Sequence, residues 1–262
     1  MPKNFSIADE PSTSSDLKGQ NALITGASSG LGRHMAETLA RAGANVAVCA
    51  RRMERLSELV SKIAEGGGRA IPIELDVTDH ASVSNAISTA ESALGRLSIL
   101  INNAGVARAG LIVDQTPDDY SYIMDTNVKG SWLVARAVGA HMIRHGSGGK
   151  IVNISSIAAT QVGKQLSLYS MSKAALEIMT RAMAKEWLRY NIQVNAIAPG
   201  FIMTDMNRDF FLSERGQKAI AEFPTGRIGV PSDLDGVLLL LVSGDSRSIT
   251  GSIMVADDGQ TL

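Results

Sequence analysis

Residues 21–32 read Asn21-Ala-Leu-Ile-Thr-Gly-Ala-Ser-Ser-Gly-Leu-Gly32, and this stretch decides the fold. The apolar run Ala22 to Ile24 predicts a buried strand. Glycines 26, 30 and 32 predict a turn. Met35, Ala36, Leu39 and Ala40 then form a helical apolar stripe up to Gly43, a helix stop. Strand, glycine-rich turn and helix N-terminus together make a phosphate cradle. Missing Cβ atoms admit a pyrophosphate, and free N–H groups face its charge. The spacing is Gly-x-x-x-Gly-x-Gly, not the commoner Gly-x-Gly-x-x-Gly. Gly26, Ser28, Ser29, Gly30, Leu31 and Gly32 are therefore candidate nucleotide-binding residues. The alternative is a purely structural strand–helix turn.

The next strand, Asn45 to Ala50, bears on which nucleotide would fit. A site for NAD places Asp or Glu about 20 residues past the glycines, on the ribose diol. No acidic residue occurs from Thr38 to Met53; Arg51 and Arg52 follow the strand directly. A guanidinium binds a 2′-phosphate with a fork of donors, whereas a carboxylate repels it. NADP(H) is expected over NAD(H), with Arg51 ahead of Arg52 because it lies nearer the strand end. Ser28 and Arg33 are possible helpers. The alternative is a pair of solvated charges opening the next helix.

Further on stands Tyr169-Ser170-Met171-Ser172-Lys173, with Ser156 thirteen residues before the tyrosine. Tyr and Lys four apart share a helix face. A free phenol titrates near ~10. A neighbouring ammonium favours the phenolate and moves the phenol toward the range useful for proton transfer. Ser156 adds a hydroxyl able to bond a substrate oxygen. Alone, the pair could be two residues of an ordinary helix.

Thr25-Gly-Ala-Ser-Ser-Gly-Leu-Gly32, Asp76-Val77, Asn102-Asn103-Ala104-Gly105, Asn127, Ser156, Tyr169 with Lys173, and Pro199-Gly200 occur in that order. In this the chain resembles the short-chain dehydrogenase/reductase family from about Leu17 to its end. Its nearest likeness is to the branch holding 3-oxoacyl-acyl-carrier-protein reductases and many ketone and alcohol oxidoreductases. The resemblance implies a Rossmann-type, doubly wound, seven-stranded parallel α/β sheet with helices on both faces, in one domain over 17–262. It also implies roles. Tyr169 would be the acid/base and Lys173 its partner, which also bonds the nicotinamide ribose. Ser156, not Ser155, would orient the carbonyl, since neighbours on a strand face opposite ways. Asn127 would hold a water in a proton relay. Asp76 and Val77 would contact adenine, and Asn103, Ala104 and Gly105 the ribose. Pro199, Gly200, Ile202 and Thr204 would hold the carboxamide. Family members form tetramers or dimers, so a homotetramer is expected.

The rest of the chain fits that frame. Strands are predicted near 21–25, 45–50, 70–75, 98–102, 149–155, 192–198 and 252–256. Helices are predicted near 30–42, 52–65, 79–94, 118–145, 167–189 and 231–243. Asp79 suits the N-cap of the third helix better than Asp76 does. Residues 200–225 form a candidate substrate lid holding Ile202, Met206, Phe210 and Phe211; three of the five Phe fall between Gly200 and Leu212. Met and Phe close over apolar ligands, so a hydrophobic ketone or secondary alcohol is expected. Ala158 and Gln161 would add walls, and Arg108 would select a polar group. With 25 basic and 26 acidic residues there is no basic stripe for nucleic acid. Cys49 is the only cysteine and reads as a core residue. His141 and His145 share a helix face with no acidic or cysteine ligand beside them, so no metal is expected; they read as a solvated helix end. No apolar run reaches the ~18–20 residues of a membrane span. The first sixteen residues read as a flexible arm without signal-peptide character, so a cytoplasmic location is expected. Two other readings stay open: an NAD-dependent dehydrogenase of a sugar, steroid or other alcohol, and a non-catalytic nucleotide sensor.

Overall fold

The computed structural model describes residues 16–205 and 207–262, so the predicted arm (apart from Asp16) and Met206 lie outside the described residues. The chain runs β1 (Asn21–Thr25), α1 (Gly30–Arg41), β2 (Asn45–Ala50), α2 (Met53–Glu65), β3 (Arg69–Glu74), α3 (His80–Leu94) and β4 (Ile99–Asn102). It continues α4 (Pro117–Met124), α5 (Ser131–His145), β5 (Gly149–Ile154), α6 (Ser167–Trp187), β6 (Ile192–Pro199), α7 (Arg208–Leu212), α8 (Glu214–Ala221), α9 (Asp235–Val242) and β7 (Ile253–Ala256). Each predicted strand forms within one residue of its expected bounds. The seven strands pair in parallel in the order β3-β2-β1-β4-β5-β6-β7.

Strand alternation builds two cores. Ala22, Ile24, Val46, Val48, Ile99 and Ile101 point to the layer of α1, α2 and α9. Leu23, Ala47, Cys49, Leu100 and Ile151 point to the layer of α3, α5 and α6. A sheet covered on both faces needs apolar residues at every central position, which is what these strands carry. Cys49 is fully buried there, and burial pushes its thiol pKa up. The chain winds outward from β1 through β2 to β3, then returns to place β4 on the other side of β1. A crevice opens at that reversal, outside the carboxyl ends of β1 and β4.

The helix predicted over 118–145 is not uniform. α4 and α5 are joined by a π-helical segment, Asp125–Gly130, which widens the turn and leaves Asn127 buried. The helix predicted from 231 opens with a 3₁₀ turn, Pro231–Leu234, before α9. Asp79 caps α3, accepting from the Ala81 N–H at 2.9 Å.

His141 and His145 are not a solvated pair. His141 is fully buried, and Glu91 of α3 stands between the two, 3.3 Å from His141 Nδ1 and 2.9 Å from His145 Nε2. Their three ligand atoms lie within 4.8 Å of one another. The Leu97 N–H donates to His141 Nε2 at 2.9 Å. Nδ1 therefore carries the ring proton and offers no lone pair to a cation. The sequence hid this cluster because Glu91 comes from another helix. Burial holds the His141 pKa below its ordinary 6.5, against the pull of Glu91 and with a smaller push from His145 and Arg144. The folded state thus binds fewer protons than the unfolded state as pH drops through 6.5. Urea midpoints should fall as pH is lowered from 7.5 to about 5.5, and His141→Gln, which keeps an acceptor for Leu97, should flatten that fall.

Candidate active site

The crevice is held open by a clamp between β1 and β4. The Thr25 hydroxyl accepts the N–H groups of Asn103 and Ala104 at 3.0 and 2.9 Å. The Asn103 amide donates back to the carbonyls of Thr25 and Gly26 at 3.0 and 3.3 Å. Glycines make this approach possible. Gly26 has φ +67°, and a Cβ there would lie 2.9 Å from Ala104 Cα. A Cβ at Gly32 would lie 2.4 Å from both the Gly26 carbonyl oxygen and the Asn103 amide nitrogen. Gly32 thus lies beneath the turn rather than on the cleft wall.

At the nucleotide end the two arginines divide. Arg52 folds back over the glycine turn and donates to the hydroxyls of Ser28 and Ser29 at 2.8 and 3.0 Å. Arg51 stands toward Asp76 and helps lower that carboxyl's pKa. The larger causes of that lowering are the hydroxyl and N–H of Thr78, at 2.7 and 2.9 Å. Both arginines line the cleft, and Arg52 is the one that bonds the turn. Arg33 is turned away, paired with Glu37 and Glu58.

At the other end α6 delivers Tyr169 and Lys173. Burial raises the Tyr169 phenol above its ordinary value of 10.0, and the nearby Ser156 side chain acts the other way. The expected lowering by Lys173 is not the dominant effect: its ammonium lies 5.5 Å from the ring centroid, over the ring. Burial pushes Lys173 itself down to about 8, and its Nζ donates to the Ile154 carbonyl at 2.7 Å. Ser155 and Ser156 separate as strand alternation requires: Ser155 bonds Glu177 at 2.9 Å, whereas Ser156 caps a 3₁₀ turn by accepting the Ala158 N–H.

Asn127 is held from two sides. Its amide N–H groups go to the Val106 carbonyl and the Ser172 hydroxyl, both at 2.9 Å, and its oxygen accepts the Val106 N–H at 2.8 Å. Both amide protons are spent, leaving one lone pair of the oxygen for a water. That oxygen and Lys173 Nζ both lie against Gly105.

One cleft of about 1250 Å³ joins the two ends, large enough for a dinucleotide and a second molecule. Its walls include Gly26, Ser28, Ser29, Gly30, Leu31, Arg51, Arg52, Asp76, Val77, Asn103, Ala104, Gly105, Ser156 and Tyr169. Pro199, Gly200, Ile202, Thr204, Ala158, Gln161 and Phe210 complete the predicted set. Asn127 and Lys173 are buried behind it. Arg108 is spent on Asp119 and stacks on Tyr122. Over the cleft, Phe201 stacks on Phe223, and Phe211 meets both Phe201 and Phe210 edge-on. Phe211 is buried while Phe210 is exposed. Sequence reasoning passed over Lys164, Arg215, Phe223 as a wall, and Gln260, whose side chain holds the Phe201 N–H at 2.8 Å. Polar residues in loops and short helices carry no periodic signal.

A phosphate cradle at a topological switch point, joined to a Ser–Tyr–Lys cluster, defines a nucleotide-dependent oxidoreductase. Residues 26–261 match the family described as Enoyl-(Acyl carrier protein) reductase. The 3-oxoacyl-acyl-carrier-protein reductase of Thermotoga maritima is 37% identical over 248 residues, 94% of this chain and 99% of that protein. The crystal structure of a short-chain type dehydrogenase/reductase from Mycobacterium marinum superposes with TM-score 0.89 at 38% identity, covering 94% of this chain and 97% of that one. That of a gluconate 5-dehydrogenase from Burkholderia cenocepacia J2315, in complex with NADP and tartrate, gives 0.90 at 35% identity, covering 94% and 97%. The chain belongs to the short-chain dehydrogenase/reductase family and is an NAD(P)-dependent oxidoreductase acting on CH–OH and C=O groups.

Proposed function

We propose that the protein is an NADP(H)-linked carbonyl reductase, interconverting a ketone and a secondary alcohol on Tyr169, Ser156, Lys173 and Asn127. The observation carrying this reading is that Ser156 and Tyr169 share one wall of a cleft that begins in a glycine cradle, with Lys173 over the tyrosine ring. The bound coenzyme supplies the hydride. Ser156 accepts the Ala158 N–H, so its own proton is free to turn to a carbonyl oxygen. Tyr169 donates its proton to that oxygen. The Lys173 ammonium, held by the Ile154 carbonyl, favours the phenolate left behind. A water on the remaining Asn127 lone pair would lie next to Lys173.

The residues fit the coenzyme. No Cβ crowds the turn, and no carboxylate follows β2 at the place where a ribose diol would be held. Ser28 and Ser29 accept from Arg52, which leaves both hydroxyl protons free for an anion. That favours a 2′-phosphate. The four stacked phenylalanines favour an apolar substrate. The exposed apolar side chains of Trp132, Met171 and Ile178 on α5 and α6, and of Leu240 and Val255 on α9 and β7, support a homotetramer joined on those two faces.

A second reading rests on charge. Lys164 and Arg215 line the cleft, and no ion pair engages either among the described residues. Together with the similarity to a gluconate 5-dehydrogenase, they favour a substrate bearing a carboxylate.

Tyr169→Phe should lower kcat by on the order of 10³-fold or more while NADPH titration by fluorescence stays unchanged; retained turnover would remove the assignment. Arg52→Ala should weaken NADPH by about tenfold or more, roughly 1.4 kcal/mol, and leave NADH little changed. Equal losses for both coenzymes would count against the phosphate site. Paired neutral and carboxylated ketones separate the two substrate readings. If the anion reading holds, Arg215→Ala raises KM for the acids alone; if the apolar one holds, Phe210→Ala raises KM for the neutral ketones.

A further inference from the structure

Glu177 has no part in the reaction above, yet it is a buried carboxylate beside the site. It belongs to a stripe. Tyr169, Lys173, Glu177 and Thr180 recur at helical spacing along one face of α6. That face grips the end of β5 residue by residue. The Thr180 hydroxyl accepts from the Asn153 amide at 2.8 Å. Lys173 donates to the Ile154 carbonyl at 2.7 Å. The Ser155 hydroxyl donates to Glu177 Oε1 at 2.9 Å. Tyr169 meets Ser156.

The Ser155 contact falls where the strand loses support. The β4–β5 ladder ends at Asn102 and Asn153, and the β5–β6 ladder at Ile154 and Ile197. Beyond it, one backbone bond remains, from the Ser155 N–H to the Ile197 carbonyl at 2.7 Å. Ser156 is the next residue, extended and outside either ladder. Its place relative to α6 therefore depends on how Ser155 is tied to that helix. Ser155 is 3% exposed and Glu177 7%, so water is a poor substitute partner for either. A buried carboxylate without its donor is costly, which holds the pair in one arrangement.

We propose that Glu177 is a positioning residue: through the Ser155 hydroxyl it fixes Ser156 against Tyr169. The proposal rests on the reading that Ser156 and Tyr169 carry the proton transfer. The test uses the full chain with Ser155→Ala, Glu177→Gln, Glu177→Leu and the double variant Ser155→Ala/Glu177→Leu. Steady-state kinetics with NADPH and a ketone that the unaltered protein reduces are read beside NADPH affinity and amide exchange over residues 155–159. Ser155→Ala and Glu177→Leu should each lower kcat by on the order of tenfold, with KM and NADPH affinity within about twofold. Exchange at 155–159 should accelerate in both. The double variant should be no worse than the worse single one. Glu177→Gln keeps an acceptor oxygen and should restore kcat. Should Glu177→Leu fail to fold, Ser155→Ala removes the same bond with a smaller change. Unchanged kcat and exchange, additive losses, or Glu177→Gln as impaired as Glu177→Leu would overturn the proposal. A protein that reduces no ketone would instead defeat the functional reading, and the exchange data would still decide whether Glu177 holds the segment.

Discussion

The rest of the site depends on the bond between the Thr25 hydroxyl and the N–H groups of Asn103 and Ala104. Beyond Ile24 and Ile101, β1 and β4 stop pairing and their chains part. Two backbone donors would then be buried without partners, at a cost of about 1–3 kcal/mol each. One hydroxyl oxygen satisfies both. The Asn103 amide repays the contact by holding the carbonyls of Thr25 and Gly26. The crevice is thus kept open by hydrogen bonds rather than by apolar packing. Its floor tolerates no side chain at Gly26 or Gly32.

Burial governs the electrostatics at the far end of the crevice. It raises the Tyr169 phenol and lowers Lys173, so each side chain is pushed toward its neutral form. A neutral phenol is a proton donor, and a lysine near 8 still carries its charge for most of the time at neutral pH. In the reduction proposed above, the phenol would give up its proton beside that cation. The sequence argument took the Lys173 charge as the dominant effect and overlooked desolvation, because helical spacing gives proximity but not depth.

What was legible in the sequence follows the same division. Strand positions could be read because short apolar runs bounded by glycine turns are local signals; the order of the strands in the sheet is not a local signal. Alternation predicts that Ser155 and Ser156 part, and their side chains do bond different groups, Glu177 and the Ala158 N–H. The choice between Arg51 and Arg52 could not be read, because both follow the strand and either long side chain can swing back over the turn. Arg108 was misread for the same reason: Asp119 and Tyr122, more than ten residues on, capture it. Glu91 joins His141 and His145 only when α3 and α5 pack together. The inward turn of Asn127 depends on a π-helical segment that no apolar period announces.

Rigidity is distributed unevenly around the cleft. Tyr169, Lys173 and Glu177 stand on a helix of 21 residues bonded to a central strand. The lid is built from helices of five and eight residues, too short to be stable alone. Many of its bonds are internal. Asn207 bonds both Thr204 and Ile202, Ser213 caps α8, and Gln217 returns to the Phe211 carbonyl. Phe211 anchors the lid by burial, while Phe210 faces outward at the cleft rim. Were this segment the proposed lid, lifting it would break the Phe201 N–H bond to Gln260 and the backbone bonds of Phe201 and Met203 with Gly229, and expose the Phe211 ring, a change within reach of substrate-binding energy. Moving α6 against β5 would instead strand a buried lysine and a buried carboxylate. The proposed proton-transfer pair thus stands where motion is most costly and the proposed lid where motion is cheap.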